Sequence, residues 1–330
     1  MPPSRAKSCS ARSDAAGRFV RKVENAANSA STEPQSASAR LTSVVIVAAD
    51  SGDDVMSCVE HALGSSMTVE VIISDNASSD GSIEKVAARW GGDARVRILR
   101  NGSNLGFGAG CNRGVRGAHG DAVLLLNPDC TLEADTLARL RAHLASDSTL
   151  GLLGARIVGA DGRDEPANRR RDPTFKRALM QMSGLARFEP RWPAFAGGNM
   201  PPSSNAPALE RVEAVSGALM LLPRHVFEQV GGFDEGYFLH CEDLDLCRRV
   251  RDAGLQVACA NDVRVLHGKG TSSRRRPFFV ARHKHRGMWR WFVKFDPAAH
   301  NLLLRALVGA GLWLHFLLMA PRYIWTLLRR

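Results

Sequence analysis

The chain has 330 residues, 45% of them hydrophobic, which is enough to bury a full core as one large domain with additional segments. Its net charge is +11. Residues 1–40 hold seven Lys or Arg and three acids, and residues 269–330 hold thirteen Lys or Arg and one acid, whereas residues 41–268 hold 24 Lys or Arg and 29 acids. The positive charge is therefore concentrated at the two ends. An acidic body without zinc-finger spacing or basic-aromatic patterning argues against a nucleic-acid-binding protein.

Residues 1–40 are rich in Ser, Ala and charged residues, and they are predicted to form a disordered leader. Order is predicted to begin at "TSVVIVAAD" (42–50), whose continuous apolar run is typical of a strand buried on both faces of a parallel sheet. Four strands are predicted within about 90 residues, at 44–49, 69–75, 95–100 and 122–126. Helices are predicted between them at 55–63 and 83–90, and after the Gly-rich turn in 101–120. This alternation predicts an α/β fold with a mostly parallel sheet flanked by helices.

A looser middle region follows, and it is predicted to form a mobile loop over a site. It contains the arginine triplet 169–171 and the Pro-rich stretch "MPPSSNAPALE" (200–210). Residues 212–270 return to strand and helix patterns, and the chain closes on "NLLLRALVGAGLWLHFLLMAPRYIWTLLRR" (301–330). The domain proper is therefore predicted to span 41–270, followed by a basic and hydrophobic tail of C-terminal helices at 271–330.

Acidic residues follow three of the predicted strands. Asp50, Asp75 and Asp129 come after the first, second and fourth strands, and the carboxyl ends of parallel strands meet at one edge of a sheet, where ligands bind. Carboxylates there can accept hydrogen bonds from a base or ribose, or hold a divalent cation that binds phosphates. In "LLLNPDC" (124–130), Asp129 is interpreted as a ligand of Mg2+ or Mn2+, although an Asn-Pro-Asp turn that merely ends a strand explains the tripeptide equally well.

The glycine-rich stretch 106–114 does not match the dinucleotide-binding G-x-G-x-x-G pattern, and it follows the third strand instead of the first. Two interpretations stay open for it. Asn104 and Gly106 lead into a helix and can bring the backbone close to a ligand. Alternatively, the small residues serve tight packing at the start of a helix.

The stretch "FLHCEDLDLCRRVRDAG" (238–254) predicts a helix with acids in its first turn and arginines in its last. Glu242 and Asp243 at its start are candidate catalytic residues, because a general base needs a positioned carboxylate near the acceptor hydroxyl. His267, at the end of the strand in "VRVLHGKG", is either a structural histidine or a third ligand of a metal-bound nucleotide.

Taken together, these stretches resemble the family 2 glycosyltransferases with their GT-A fold, most closely the rhamnosyltransferase-like branch that builds bacterial cell-surface polysaccharides. The resemblance covers 41–270 well and the tail loosely. It rests on "SVVIV", "EVIISDNASSDGS", "NLGFGAGCNRG", "LLLNPDC", "VSGALMLLPRHVFEQVGGFDEGYF", "EDLDLCRRVRDAG" and "VLHGKG", in this order and spacing.

The resemblance implies an inverting transfer from a nucleotide-diphosphate sugar, with dTDP-rhamnose favoured, to a lipid-linked or cell-surface polysaccharide acceptor. It implies Asp243 as the catalytic base with Glu242 beside it, and Asp129 and His267 as ligands of Mg2+ or Mn2+. The implied donor-binding residues are Asp50, Asp75, Asn76, Asn104, Gly106, Asn112 and Gly217. Asn127 stands where the D-x-D element has its first Asp, and "VAADSGDD" lacks the usual turn after the first strand.

The seven cysteines are scattered without a C-x-x-C pair, which predicts a reducing compartment and neither a disulfide framework nor a zinc site. No apolar run marks a secretory signal in the leader.

The run 302–320 is mostly apolar, so the tail is predicted to bind the anionic inner face of the plasma membrane from the cytoplasm. It would lie in the plane of that membrane or cross it once.

The alternatives for the tail are packing on the domain or on a second subunit in a homo-oligomer. For the whole chain, the alternatives are a catalytically inactive scaffold with the same fold in a polysaccharide assembly complex, or a nucleic-acid binder using the basic ends.

Overall fold

The computed structural model describes residues 41–200, 206–268 and 277–328. The predicted leader 1–40 lies outside the described residues, as do positions 201–205 of the predicted loop and 269–276 of the basic tail. The strands are β1 Thr42–Ala48, β2 Val69–Asp75, β3 Val96–Arg100, β4 Ala122–Leu126, β5 Cys130–Thr131, β6 Leu150–Val158, β7 Arg169–Arg170, β8 Leu209–Arg211, β9 Ala214–Val215, β10 Leu219–Pro223 and β11 Gln256–His267. The α-helices are α1 Asp54–Leu63, α2 Ser82–Trp90, α3 Phe107–Arg116, α4 Thr136–Ser146, α5 Phe175–Met182, α6 Arg224–Gln229, α7 Glu242–Asp252, α8 Pro277–Phe295 and α9 Leu302–Leu328.

Within the described residues, nine strands form one sheet in the order β3-β2-β1-β4-β10-β6-β11-β5, with β8 paired to β11. Strands β1 to β4 pair in parallel, and β10 is antiparallel to both β4 and β6. Because β11 is parallel to β6, its end at His267 reaches the same edge as the carboxyl ends of β1, β2 and β4. The predicted mostly parallel α/β fold is confirmed, and this edge carries the candidate site.

The sheet is covered by helices on both faces, which explains the continuous apolar runs. Alternate residues of β1 enter different cores: Val44 and Ile46 pack with helices α1, α2 and α4, whereas Val45 and Val47 pack with α3, α6 and α7. All seven residues of β1 are buried. A strand enclosed on both sides shows no polar alternation, as the sequence predicted.

Helix α3 packs closely on β1 because its glycines leave room for the strand. A Cβ at Gly110 would lie 2.8 Å from Val47 Cγ1, and one at Gly114 would collide with Val45. The packing interpretation of the glycine-rich stretch therefore holds for these two positions. Gly106, just before the helix, has a φ of 89° and serves the site described below.

The middle region is more regular than the predicted mobile loop. Strand β7 pairs with β9, with Arg169 opposite Val215 and Arg170 opposite Ala214. Arg169 is buried, and its guanidinium donates to Glu210 and Asn261. A run of three arginines suggests an exposed, charged segment. In the fold each of the three forms an ion pair, with Glu210, Asp243 and Glu189 in chain order.

The two C-terminal helices differ in their surroundings. Helix α8 packs against the domain through Trp291 and Phe292, and its Lys294 forms an ion pair with the fully buried Asp245. Helix α9 runs along α8, and none of its most hydrophobic 18-residue window is buried. The predicted apolar run 302–320 is thus confirmed as a helix that continues past Pro321.

Candidate active site

Two adjoining cavities open at the carboxyl edge of the sheet, with volumes of about 550 and 340 Å³. The first is lined by residues that follow β1, β2 and β3, including Asp50, Asn76, Asn104 and Gly106. The second is lined by Asp129, Arg170, Gly217, Glu242, Asp243 and His267. Phe107 and Leu239 line both cavities, so the two cavities are neighbours at this edge.

Asp50 ties the loop after β1 to the loop after β2. Its backbone has a φ of 52°, its N–H donates to Ser78 Oγ at 3.1 Å, and its Oδ1 accepts from the Ser79 N–H at 2.7 Å. A non-glycine residue held in the left-handed region is costly, and such positions cluster at ligand sites. The loop therefore presents a fixed acidic rim to the first cavity.

Asp75 ends β2 with its carboxylate buried. The carboxylate is 2% exposed, accepts from the Ser78 N–H at 2.9 Å and lies 3.6 Å from Arg100. These contacts fix the loop after β2, and the predicted contact of Asp75 with the donor stays a prediction.

Three other predicted residues form one hydrogen-bonded unit in the wall of the first cavity. Asn76 Nδ2 donates to the Gly106 carbonyl oxygen at 3.0 Å and to Asn104 Oδ1 at 3.3 Å, and the Gly106 N–H donates to the same Asn104 oxygen. A Cβ at Gly106 would collide with the carbonyl oxygen of Phe238. Glycine is therefore required both for the positive φ and for the close approach of the two backbones.

Asn112 is not brought into this unit. Its Nδ2 donates to the Phe233 carbonyl oxygen and to Glu235, its Oδ1 accepts from the Phe233 N–H, and it lines a separate cavity beside Phe227. A buried amide with all of these partners fixes the turn before α7 to α3. These contacts give Asn112 a packing role, and its predicted contact with the donor stays a prediction.

The second cavity contains a cluster that fits a divalent cation. Ligand atoms of Asp129, Cys130 and His267 lie within 4.8 Å of one another, and His267 Nε2 is 3.1 Å from Asp129 Oδ1. The pairing of β5 with β11 creates this proximity, because Cys130 stands opposite His267 in the register. A carboxylate and an imidazole are suitable ligands for Mn2+ or Mg2+.

Cys130 is a poor member of that ligand set. Burial and the neighbouring Cys58 and Asp129 raise the pKa of its thiol well above the usual value, and its Sγ lies 3.4 Å from the Ala218 carbonyl oxygen. A metal ligand would have to be the thiolate. Within this cluster, Asp129 and His267 are therefore the better candidates to hold a cation.

Glu165 is a functional candidate that the sequence did not indicate. Its Oε1 lies 3.1 Å from His267 Nδ1, so the imidazole is held between two carboxylates. Burial alone would lower the pKa of His267, but the hydrogen bonds and charges of Asp129 and Glu165 outweigh it and raise the pKa to about 9. A carboxylate on the outer ring nitrogen is the usual way to orient a metal-binding histidine.

Glu242 and Asp243 begin α7, as predicted, after a strained turn. His240 and Cys241 both have positive φ, at 69° and 71°, which turns the chain sharply into the helix. Asp243 accepts hydrogen bonds from the Gly217 N–H at 3.0 Å, from the Leu244 N–H at 2.8 Å and from Arg170. Gly217 therefore contacts the candidate base.

The two adjacent carboxyl groups have opposite pKa shifts. Burial and the charge of Asp243 raise the pKa of Glu242 to about 8, and its Oε2 is buried without a hydrogen-bond partner among the described residues. For Asp243, burial is outweighed by the charge and hydrogen bond of Arg170 and by the backbone N–H groups, so its pKa is lowered. When two neighbouring acids have well-separated pKa values, one can be ionised while the other stays protonated.

Comparisons with known proteins agree with this architecture. The mannosyltransferase PcManGT from Pyrobaculum calidifontis, solved in complex with GDP-Man and Mn2+, matches 87% of this chain and 72% of its own, with a TM-score of 0.52 and 17% identity. The crystal structure of GalNAc-T7 with UDP, GalNAc and Mn2+ (TM-score 0.52, 16% identity) matches 71% of this chain and 44% of its own. The fold thus defines a GT-A-type α/β protein.

Sequence relatives make the class more specific. The "Glycosyl transferase family 2" model matches residues 43–200. The N-acetylglucosaminyl-diphospho-decaprenol L-rhamnosyltransferase of Mycobacterium tuberculosis is 31% identical over 272 residues, which cover 74% of this chain and 85% of the relative. The rhamnosyltransferase WbbL of Escherichia coli is 26% identical over 237 residues, covering 68% and 82%.

The chain therefore belongs to glycosyl transferase family 2, and it is a glycosyltransferase similar to rhamnosyltransferases. The family predicted from the motif series is confirmed.

Proposed function

We propose that the protein catalyses an inverting transfer of a sugar from a nucleotide-diphosphate donor, with dTDP-rhamnose favoured, to a hydroxyl group of a lipid-linked or cell-surface polysaccharide acceptor. The observation that carries this proposal is the shared second cavity, which is lined by Asp129 and His267 together with Asp243. Such a sugar transfer needs one carboxylate that binds the cation and another that accepts a proton, and both line this cavity.

The first cavity is the proposed site of the nucleotide. Its volume suits a nucleoside, Asp50 and Asn76 supply polar contacts, and aromatic side chains from Phe107, Phe238 and Phe279 form the apolar wall. The diphosphate and sugar would then extend past Phe107 into the second cavity. Asn104 and Gly106, which lie near that passage, are proposed to contact the ribose and diphosphate.

Asp129 and His267 would hold Mg2+ or Mn2+, with Glu165 orienting the imidazole. When bound, the cation would offset negative charge on the leaving diphosphate. Two solved structures with the same fold contain Mn2+, which supports this assignment.

The proton transfer is assigned to Asp243. As the acceptor oxygen forms its bond to the anomeric carbon and the bond from that carbon to the diphosphate breaks, Asp243 takes the acceptor's hydroxyl proton. The attack from the face opposite the leaving group inverts the configuration. Glu242, whose raised pKa keeps it protonated at neutral pH, would donate a hydrogen bond into the same cavity.

The choice of donor and acceptor rests on the relatives. Two of them are rhamnosyltransferases, and the relative from Mycobacterium tuberculosis acts on a lipid-linked acceptor, N-acetylglucosaminyl-diphospho-decaprenol. The same reasoning supports a cytoplasmic enzyme at the inner face of the membrane that carries the acceptor lipid.

Donor binding tests the proposal directly. Among a panel of nucleotide sugars supplied with Mn2+, dTDP-rhamnose is expected to stabilise the protein most. A donor at about a hundredfold excess over its Kd adds roughly 2.7 kcal/mol, which in a domain of this size raises Tm by roughly 5–10 °C. Differential scanning fluorimetry measures the shift. Stabilisation by none of the donors would favour the inactive scaffold.

A pair of glycine variants assigns that stabilisation to the first cavity. In Gly106→Ala the new methyl group collides with the Phe238 backbone, so the donor-induced shift should be lost. Gly102→Ala is the matched control, because Gly102 also has a positive φ but a Cβ there meets nothing within 4 Å. An equal donor response in both variants would place the nucleotide elsewhere.

We propose that α9 associates with the membrane. Helix α8 is assigned to the catalytic domain, because α8 packs against that domain. Helix α9 is one candidate membrane helix over Leu302–Trp325, with a mean hydropathy of 1.9. Four of its exposed leucines recur at helical spacing on one face: Leu303, Leu307, Leu314 and Leu318. Exposed Arg282, Lys284 and Arg286 of α8 add positive charge suited to anionic lipid.

Replacing these four leucines with serine is expected to lower binding to phosphatidylglycerol vesicles by at least about tenfold, because each buried leucine contributes roughly 1.5–3 kcal/mol. Vesicle co-sedimentation measures the loss. The control replaces Leu179 and Met182, exposed apolar residues of α5, with serine. If the four-leucine variant still sediments like wild type, α9 is not the membrane-binding element.

A further inference from the structure

We propose that Arg170 is a positioning residue that holds the carboxylate of Asp243 charged and correctly oriented toward the cavity shared with Asp129 and His267. The inference rests on the proposed function, in which Asp243 is the catalytic base. It adds a residue that the motif series does not contain, since the arginine triplet was predicted to lie in a mobile loop.

The backbone and a carbonyl group fix Arg170 in place. Its strand β7 pairs with β9, where Arg170 stands opposite Ala214, and a further bridge joins it to Asn199. Its Nη2 donates to the Val215 carbonyl oxygen at 3.0 Å and also to Asp243 Oδ2. With a side chain only 17% exposed, the guanidinium is held from two sides and directed at Asp243.

The orientation of Asp243 follows from three donors. Oδ2 accepts from Arg170 and from the Gly217 N–H, and Oδ1 accepts from the Leu244 N–H. The two backbone donors each hold one carboxylate oxygen, and Arg170 adds a second contact to Oδ2. Of these three hydrogen bonds, the one from Arg170 is the strongest, because both of its partners are charged.

The charge of Asp243 depends on the same arginine. The titratable groups that face it are Arg170, the neighbouring Glu242, His240, and the thiols of Cys241 and Cys247. Burial lowers the pKa of His240 to about 4, so this imidazole is neutral at pH 7. Arg170 is then the cation in ion-pair contact with Asp243 within the described part of the chain.

Ionising both of two adjacent buried carboxyl groups costs free energy, because their negative charges repel each other. A cation that contacts only one of them therefore determines which carboxyl group is ionised. Arg170 contacts Asp243, while Glu242 Oε2 has no partner among the described residues. Without Arg170, burial and the competing Glu242 would raise the pKa of Asp243 and free its rotamer. The base would then be neutral and misdirected in a fraction of the molecules.

The test measures the carboxyl directly and needs no substrate. Protein labelled with carbon-13 at the Asp side-chain carboxyl is titrated by NMR, and the Asp243 signal is assigned by its loss in Asp243→Asn. Arg170→Gln is expected to raise the pKa of Asp243 by about one unit or more, the range for loss of a contacting opposite charge. Arg171→Gln is the matched control, because Arg171 pairs with Glu189 and does not contact Asp243.

A second variant separates charge from geometry. Arg170→Lys keeps the positive charge but loses the planar fork, so the Asp243 titration should stay nearer to wild type while turnover of dTDP-rhamnose falls. In Arg170→Gln the acid limb of the pH–rate profile should move up with the NMR titration, whereas a merely destabilised protein would lose turnover at every pH. Thermal melts identify any variant that fails to fold.

An unmoved Asp243 titration in folded Arg170→Gln, or an equal shift in Arg171→Gln, would overturn the inference. Failure of the proposed function has a different signature, because Asp243→Asn would then keep full transfer activity whatever the titrations show.

Discussion

Asp243→Asn is expected to reduce sugar transfer by about 10²–10⁴-fold, the contribution of a positioned general base, while leaving donor binding intact. The amide has nearly the same shape, and its oxygen can still accept from Arg170 and the Gly217 N–H, so the fold around it should persist. It cannot accept the proton of the acceptor hydroxyl. The expected signature is therefore a loss of kcat with little change in the Kd for the nucleotide sugar.

The measurement is release of nucleoside diphosphate from dTDP-rhamnose in the presence of acceptor-containing membranes, together with donor binding by calorimetry. Asp252→Asn provides a matched control on the same helix, because Asp252 is half exposed and pairs with Arg248 at the other end of α7. Wild-type turnover in Asp243→Asn would remove the base from the mechanism. Loss of donor binding in that variant would instead point to damage of the cavity itself.

Much of the fold could be predicted from local patterns. The apolar runs of β1 and β4 show no alternation because both faces of the sheet are covered, and each run ends in polar residues at the edge where ligands bind. Helix α7 was predictable because acids in its first turn and arginines in its last complement the helix dipole. These signals lie within about ten residues of one another, so no tertiary information is needed to see them.

The site contacts that the sequence did not predict join segments that are distant along the chain. Arg170 reaches Asp243 across 73 positions of the chain, and Glu165 reaches His267 across 102. Neither residue stands in a periodic or motif-like context, because each lies in the polar middle region whose short strands are defined by their partners. Asn112 lies inside a recognisable motif, yet its hydrogen bonds to Phe233 also depend on a distant segment and could not be read from that motif.

The predicted domain boundary at 270 follows from the end of the motif series and from the basic composition of the residues after it. Helix α8 is basic and follows the last predicted strand, so it resembles a tail. In the structure it buries Trp291 and supplies Phe279 to the wall of the first cavity. Charge on the exposed face of a helix does not reveal what the opposite face packs against.

Asp129→Ala is expected to abolish cation binding and to lower transfer by roughly a hundredfold or more, because a cation that offsets charge on the leaving diphosphate contributes several kcal/mol. The reason lies in the small ligand set. With Asn127 in place of the first acid of D-x-D, the described residues of this cluster offer one carboxylate and one imidazole to the cation. Removing the carboxylate leaves the site without an anionic ligand.

Electron paramagnetic resonance of Mn2+ titrated into the protein with dTDP provides a readout that is independent of turnover. Asp135→Ala is the matched control, since Asp135 is an exposed acid six residues further on that pairs with Arg139. Glu165→Gln should have an intermediate effect of about 10–100-fold on Mn2+ affinity, as expected of a residue that only orients the imidazole. Equal Mn2+ affinity in Asp129→Ala and wild type would mean that the cation is held by the diphosphate alone, and Asp129 would then act on the fold of the strand end instead.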